Sequence, residues 1–238
     1  GRARISHVVF MGMGEPLLNL DELIKALTLL HDEVGLSYRH ITVSTVGIVP
    51  GIQRLAELKL PIHLALSLHS PFDAIRDSLM PVNKRWPVAE VMQTMRDYQK
   101  ATGRKITIEY LLIGDLTDSV EQAAELARLV KGVPSVVNVI PFNWVQTEQN
   151  FQRPTRDRVK AFKTELKRRG VRVLPGGDYG FPWNPIGRNA RDMELFVTHF
   201  GFTPAEAMRG AMQYGGELMG MGDELGLIRE GYLADLLL

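Results

Sequence analysis

The stretch Val8-Val9-Phe10-Met11-Gly12-Met13-Gly14-Glu15-Pro16 sets a carboxylate directly behind an apolar run and two glycines. Glycines at such a point let the backbone turn sharply or pass close to a ligand. Small molecules bind at the carboxyl ends of strands in open α/β sheets and barrels, so the pattern predicts Glu15 at the mouth of a site. It equally suits a tight turn with no ligand. Ser44 lies in the strand-like run Ile41-Thr42-Val43-Ser44-Thr45. Ser67-Leu68-His69-Ser70-Pro71 and Pro141-Phe142-Asn143 each close another such run, and Asp178 stands in a loop beside Gly176 and Gly177. Taken singly, each has an ordinary reading: a strand-end hydroxyl, a hydrogen-bonded loop histidine, a turn-forming asparagine, a turn aspartate.

Cysteine is absent from the 238 residues. This chain therefore supplies no disulfide, no thiol nucleophile, no thiolate zinc site and no cysteine ligand to an iron–sulfur cluster. The histidines are His7, His31, His40, His63, His69 and His199, and none forms His-x-His; zinc is not expected. The composition, 45% hydrophobic and 23% charged, is that of a soluble globular chain able to bury one large core. A net charge of +1 selects no partner. No apolar run approaches the ~20 residues of a membrane span, and no signal peptide opens the chain. The expectation is a cytoplasmic protein with no membrane contact.

The elements that must position these residues alternate regularly. Asp21 and Glu22 open a helix after Asn19, with Leu23, Ile24, Leu27 and Leu30 on one face. The four apolar residues Val8–Met11 read as a strand buried on both faces. Strands follow at residues 41–45, 62–68, 106–113, 136–140 and 171–174, with helices between them. Asp118 and Glu121 fit a capping box, as do Thr203 and Glu206 with Pro204 at the first helical position. Thr155 caps a helix carrying Arg156, Arg158, Lys160, Lys163, Lys167, Arg168 and Arg169. That basic face reads as a solvated outer surface, with phosphate contact as the other possibility. Without hairpin signals, the strands are parallel and joined by right-handed crossovers. The fold class is α/β: a parallel (βα) partial or TIM-like barrel of about six strands with outer helices.

Residues 5 to about 170 resemble the radical SAM methyltransferases of the RlmN/Cfr type, which methylate adenine in ribosomal RNA, with RlmN also acting on transfer RNA. The resemblance is carried by Val8 to Asn19, Ile41 to Gly51, Leu66 to Pro71 with Arg76-Asp77 and Met80-Pro81-Val82-Asn83, and Val137 to Asn143. It implies S-adenosylmethionine as cofactor, with Gly14 and Glu15 meeting its amine and Ser44, Ser67, Leu68, His69 and Asn143 lining the rest. The chemistry is consistent: an ammonium needs an anionic or carbonyl acceptor, and ribose hydroxyls pair with Ser, His or Asn. The family also uses a three-cysteine loop for a 4Fe–4S cluster, expected upstream of Gly1, and two further cysteines. None is present, so no cluster is expected from this chain.

Residues 171–238 resemble the end of an imidazolonepropionase-like amidohydrolase barrel, with Gly176-Gly177-Asp178-Tyr179-Gly180-Phe181 matching its last strand. That resemblance implies Asp178 as a metal ligand and base of a metal-dependent hydrolase, although one carboxylate does not make a hydrolytic metal site. The two segments would meet near Gly170. The resulting expectation is one chimeric βα-barrel domain over 1–238, trimmed at both ends, with deliberate recombination favoured over a natural gene fusion as its origin. It would have no complete catalytic site and at most residual S-adenosylmethionine binding. The alternatives are a fragment of an RNA methyltransferase and a hydrolase using Asp178. RNA enters as a partner by resemblance only, and an uncovered sheet edge would permit a homodimer.

Overall fold

The computed structural model describes residues 5–143, 150–174 and 190–233, the side chains of 199 and 200 aside. The chain divides into two compact units, Gly1–Pro154 and Thr155–Leu238.

The first unit alternates strand and helix: β1 (Val8–Phe10), α1 (Leu20–Asp32), β2 (Ile41–Thr45), α2 (Val49–Leu58), β3 (His63–Ser67), α3 (Asp73–Leu79), α4 (Val88–Thr102), β4 (Ile106–Leu112), α5 (Val120–Val130) and β5 (Ser135–Pro141). All neighbouring strands are parallel, in the order β1-β2-β3-β4-β5. Every crossover thus steps the same way, and right-handed connections then place all helices on one face of the sheet. This is the parallel, partly closed barrel arrangement that the sequence predicts.

The two faces of the sheet differ sharply in chemistry. Ile41, Val43, Leu64, Leu66, Ile106, Ile108, Tyr110 and Leu112 are fully buried. On the other face the register aligns Val9 with Thr42, Thr42 with His63, and Ser67 with Glu109 and Asn138. Those positions are mostly polar. Where the sheet does not lie under helices, hydroxyl, carboxylate and amide groups replace Ile and Leu.

Three expectations need correction. β1 is an edge strand of the described sheet, and Val9 is 59% exposed, so the strand is not buried on both faces. The strand at Val171–Leu174 does not form, leaving five strands among the described residues. Its side chains serve another packing: Val173 lies against the Phe196–Phe202–Ala207 cluster, Arg172 pairs with Glu217, and the Arg172 guanidinium sits over Tyr214. The capping box of α5 is Ser119 with Gln122, one residue beyond the predicted Asp118 and Glu121. Asp118 instead accepts the Asp115 amide, closing the turn before the helix.

The second unit contains α6 (Arg156–Arg168), α7 (Arg191–Phe200), α8 (Pro204–Arg209), a π-helical turn (Gly210–Tyr214) and α9 (Gly215–Leu218). Thr155 caps α6, and Thr203 with Glu206 forms the predicted capping box on α8. Phe196, Phe202 and Ala207 form one buried cluster, with the two rings edge to face at 4.9 Å, and Val159, Phe162 and Leu166 of α6 are buried as well. Among the described residues, no helix is long and apolar enough to cross a membrane.

Candidate functional site

The carboxyl ends of β1, β2, β3 and β5 carry the predicted binding residues on one rim. After β1 the chain reaches Gly14 with φ 103°, a conformation natural to glycine. It then delivers Glu15 to the start of a short 3-10 turn over Pro16–Asn19. One carboxylate oxygen of Glu15 accepts the Leu17 amide at 3.0 Å. The other accepts the Val46 amide at 2.8 Å, tying the end of β1 to the loop after β2. Each carboxylate oxygen offers two lone pairs, so both bonds leave capacity for an ammonium.

The loop after β2 is tightly shaped. The Thr45 hydroxyl accepts the amides of Gly47 and Ile48 at 3.0 and 3.4 Å. Gly47 has φ 102°, and a Cβ there would lie 2.9 Å from a methyl of Val91. Ser44 is half-buried on the polar face of the sheet, level with Ala65.

The end of β3 holds the strained element of the rim. His69 has φ 57°, a left-handed conformation uncommon outside glycine and asparagine. The Ser70 amide donates to the Leu68 carbonyl at 2.7 Å, closing a three-residue turn centred on His69. Its imidazole Nδ1 accepts the Leu111 amide at 3.2 Å. Burial, assisted by the Arg76 charge, lowers the His69 pKa to about 4. The ring is therefore neutral at pH 7, with Nδ1 as acceptor and Nε2 carrying the hydrogen.

Glu109 and Asn138 stand on the same face as Ser67, and the Asn138 amide donates to Glu109 at 2.9 Å. Asn143 is exposed just past β5, where the Phe142 amide still donates to Leu112 at 2.8 Å.

Two residues prominent in the structure had no functional role assigned from sequence. Arg76 on α3 is 0% exposed. Burial lowers its pKa to about 10, while Asp73 and Asp77 pull it back up. Asn83 accepts from Arg76 at 2.7 Å and donates to Asp73 and Asp77 at 2.9 and 2.7 Å. The spacing of Asp73, Arg76 and Asp77 on one helical turn was visible in the sequence, but it reads equally as a solvated charged face.

Asp178 lies outside the described residues, so the rim does not include it. The described residues contain no group of three or more His, Asp or Glu placed to hold a metal ion. The basic face of α6 is engaged locally. Arg168 and Arg169 pair with Glu165 at 2.7 and 2.8 Å, Lys167 pairs with Glu206 at 2.9 Å, and Lys163 lies over Phe196. An apolar groove of about 310 Å³ among Met193, Val197, Pro204, Ala207 and Met208 belongs to the second unit.

Comparison with known proteins places the rim in context. Residues 1–127 match the family model described as the radical SAM superfamily. Curated relatives include a "Probable dual-specificity RNA methyltransferase RlmN" of Symbiobacterium thermophilum, 53% identical over 170 residues, covering 71% of this chain and 46% of the relative. The Synechococcus elongatus protein of the same description is 48% identical, covering 71% of this chain and 48% of the relative. The chain spans about half the length of the curated relatives it matches. Among solved structures, a radical SAM methyltransferase from Sphaerobacter thermophilus is 40% identical with a TM-score of 0.67, covering 73% of this chain and 52% of that one. A domain of a pyruvate-formate lyase-activating enzyme from Bacteroides vulgatus shares the fold, with a TM-score of 0.57 at 19% identity, over 73% of this chain and all of that one. The first resemblance drawn from the sequence is supported. The amidohydrolase-like segment, the chimera built on it and the engineered origin find no support in these comparisons.

Proposed function

The chain belongs to the radical SAM superfamily, and on that premise we propose that its first unit is the S-adenosylmethionine-binding part of an RlmN-type RNA methyltransferase. The observation that carries this reading is Glu15, held by two backbone amides at the strand-end rim with lone pairs left for an ammonium. The Glu15 carboxylate and the Gly14 backbone would take the methionine amine. Ser44, Ser67 and Asn143 would pair with hydroxyls, and Leu68 would pack against the apolar part of the ligand. His69 would present its Nε2 hydrogen as a fixed donor. Bound there, S-adenosylmethionine supplies a methyl group activated on a sulfonium.

RNA is the proposed methyl acceptor, an adenine of ribosomal or transfer RNA in the finer form of the reading. A cytoplasmic location follows from that role. An iron–sulfur cluster does not fit the residues present, because it needs thiolate ligands and the sequence has none.

Calorimetric titration with S-adenosylmethionine tests the reading. The parent chain should give a saturable heat that Glu15→Ala abolishes. Equal binding by both proteins, or none by the parent, would overturn it.

A further inference from the structure

We propose that Arg76 is the positioning residue of this rim, locking the loop after β2 to the strained turn after β3 so that the ligand meets a preformed site. The inference rests on reading the rim as an S-adenosylmethionine site.

The guanidinium donates through Nε to the Leu68 carbonyl at 3.1 Å, and through one terminal nitrogen to the carbonyls of Val46 at 2.5 Å and Ser67 at 3.3 Å. Its other terminal nitrogen donates to Asn83. Three backbone carbonyls from two separate βα loops thus converge on one side chain.

Those peptide segments are the ones that hold the predicted ligand groups. The Val46 amide carries Glu15, and the Leu68 carbonyl closes the turn that forces His69 to positive φ. Strain of this kind persists only where surrounding contacts over-determine it, and it concentrates at ligand sites.

The charge arrangement favours a geometric role. Arg76 donates to backbone carbonyls and to Asn83, while the carboxylates of Asp73 and Asp77 accept from Asn83, so Asn83 relays the compensation. A buried ionic group of this type is weak as a source of stability, since apolar residues of equal volume often serve as well. A planar fork that reaches several acceptors at once is what arginine offers and neither an apolar residue nor lysine can.

The test compares Arg76→Lys with the parent by residue-resolved amide hydrogen exchange and by S-adenosylmethionine titration. The amides of Val46 and Ser70 should lose protection by about tenfold or more while Leu66 and Ile108 inside the sheet stay within about twofold. Ligand affinity should fall by about tenfold or more in the folded variant. Uniform loss of protection, or no local loss, would overturn the proposal, as would unchanged affinity in a variant whose two loops have loosened.

If Arg76→Lys does not fold, Asn83→Ala keeps the guanidinium and removes only its relay. Val46 and Ser70 should then lose protection ahead of the strand amides, and a uniform loss would overturn the proposal. The exchange arms need no ligand. A parent chain that binds no S-adenosylmethionine would therefore sink the functional reading while leaving the lock itself separately measured.

Discussion

The two units solve the problem of ordering a chain in different ways. Residues 1–154 bury a continuous layer of Ile, Val, Leu and Tyr between sheet and helices, and that layer is deep enough to enclose a guanidinium. Among the described residues of 155–238, Val159, Phe162, Leu166, Phe196 and Phe202 are buried, and charge pairs flank them: Lys167 with Glu206 half-exposed, Arg168 and Arg169 on a buried Glu165. Buried apolar area stabilises at roughly 25 cal/mol per Å², whereas an exposed ion pair contributes about 0–1 kcal/mol. The left-handed turn at His69 and the buried Arg76 guanidinium both lie in the first unit.

The largest expected difference comes from removing the buried cation. Arg76→Ala strands the Asn83, Asp73 and Asp77 groups and three carbonyls, and should destabilise the first unit by about 3–5 kcal/mol. Denaturant melts followed by hydrogen exchange should show the loss in residues 1–154. The counterpart in the second unit, Lys167→Ala, breaks a half-exposed pair with Glu206 and should change stability by less than about 1 kcal/mol. Comparable effects from the two variants would erase the contrast.

Acid should separate the units next. The His69 pKa is lowered to about 4, so the folded state resists a proton that the unfolded chain accepts near 6.5. Its contribution is complete above about pH 6.5 and is lost as pH falls toward 4. Glu165 and Glu206 are each held at about 2, Glu165 by hydrogen bonds from Arg168 and Arg169, Glu206 by the Thr203 amide and then Lys167. Their contribution is complete above the usual carboxylate value near 4.5 and is lost below it. Thermal melts from pH 7 to 2.5 should show the first unit weakening in the higher window and the second only in the lower. His63, lowered by burial and then by Arg104, contributes in the same window, so His69→Gln should shrink it; a window unchanged in that variant would contradict the assignment.

The smallest effects test the caps. Ser119→Ala and Thr203→Ala should each cost about 1 kcal/mol, the first in the sheet unit and the second in the helical unit. Asp118→Ala should act through the Asp115 turn and leave the Ser119 cap intact, which residue-resolved exchange at the Gln122 amide can verify.

Sequence periodicity made the alternation, the parallel sheet and most helix ends legible, because caps and glycine stops are local chemistry. Thr155 and Thr203 act where the sequence placed them. The α5 cap was missed by one residue because Asp118-Ser119 offers two capping side chains in succession, and only the turn at Asp115 decides between them. The sixth strand failed for a non-local reason. Val171–Leu174 has strand composition, but a strand needs a partner in register, and Val173 packs on aromatic rings instead. The rim's side chains were legible by type and position. The Arg76 lock was not, since nothing in a short charged helix announces that one of its charges is buried under two loops.

The account comes down to where a small ligand lands. Titrating S-adenosylmethionine into isotope-labelled protein and following backbone amide shifts should move Gly14, Val46, Leu68, His69 and Asn143 together, with the amides of α7 and α8 unmoved. Shifts centred on the groove of Met193, Val197 and Met208, or no shifts at the strand-end rim, would contradict it.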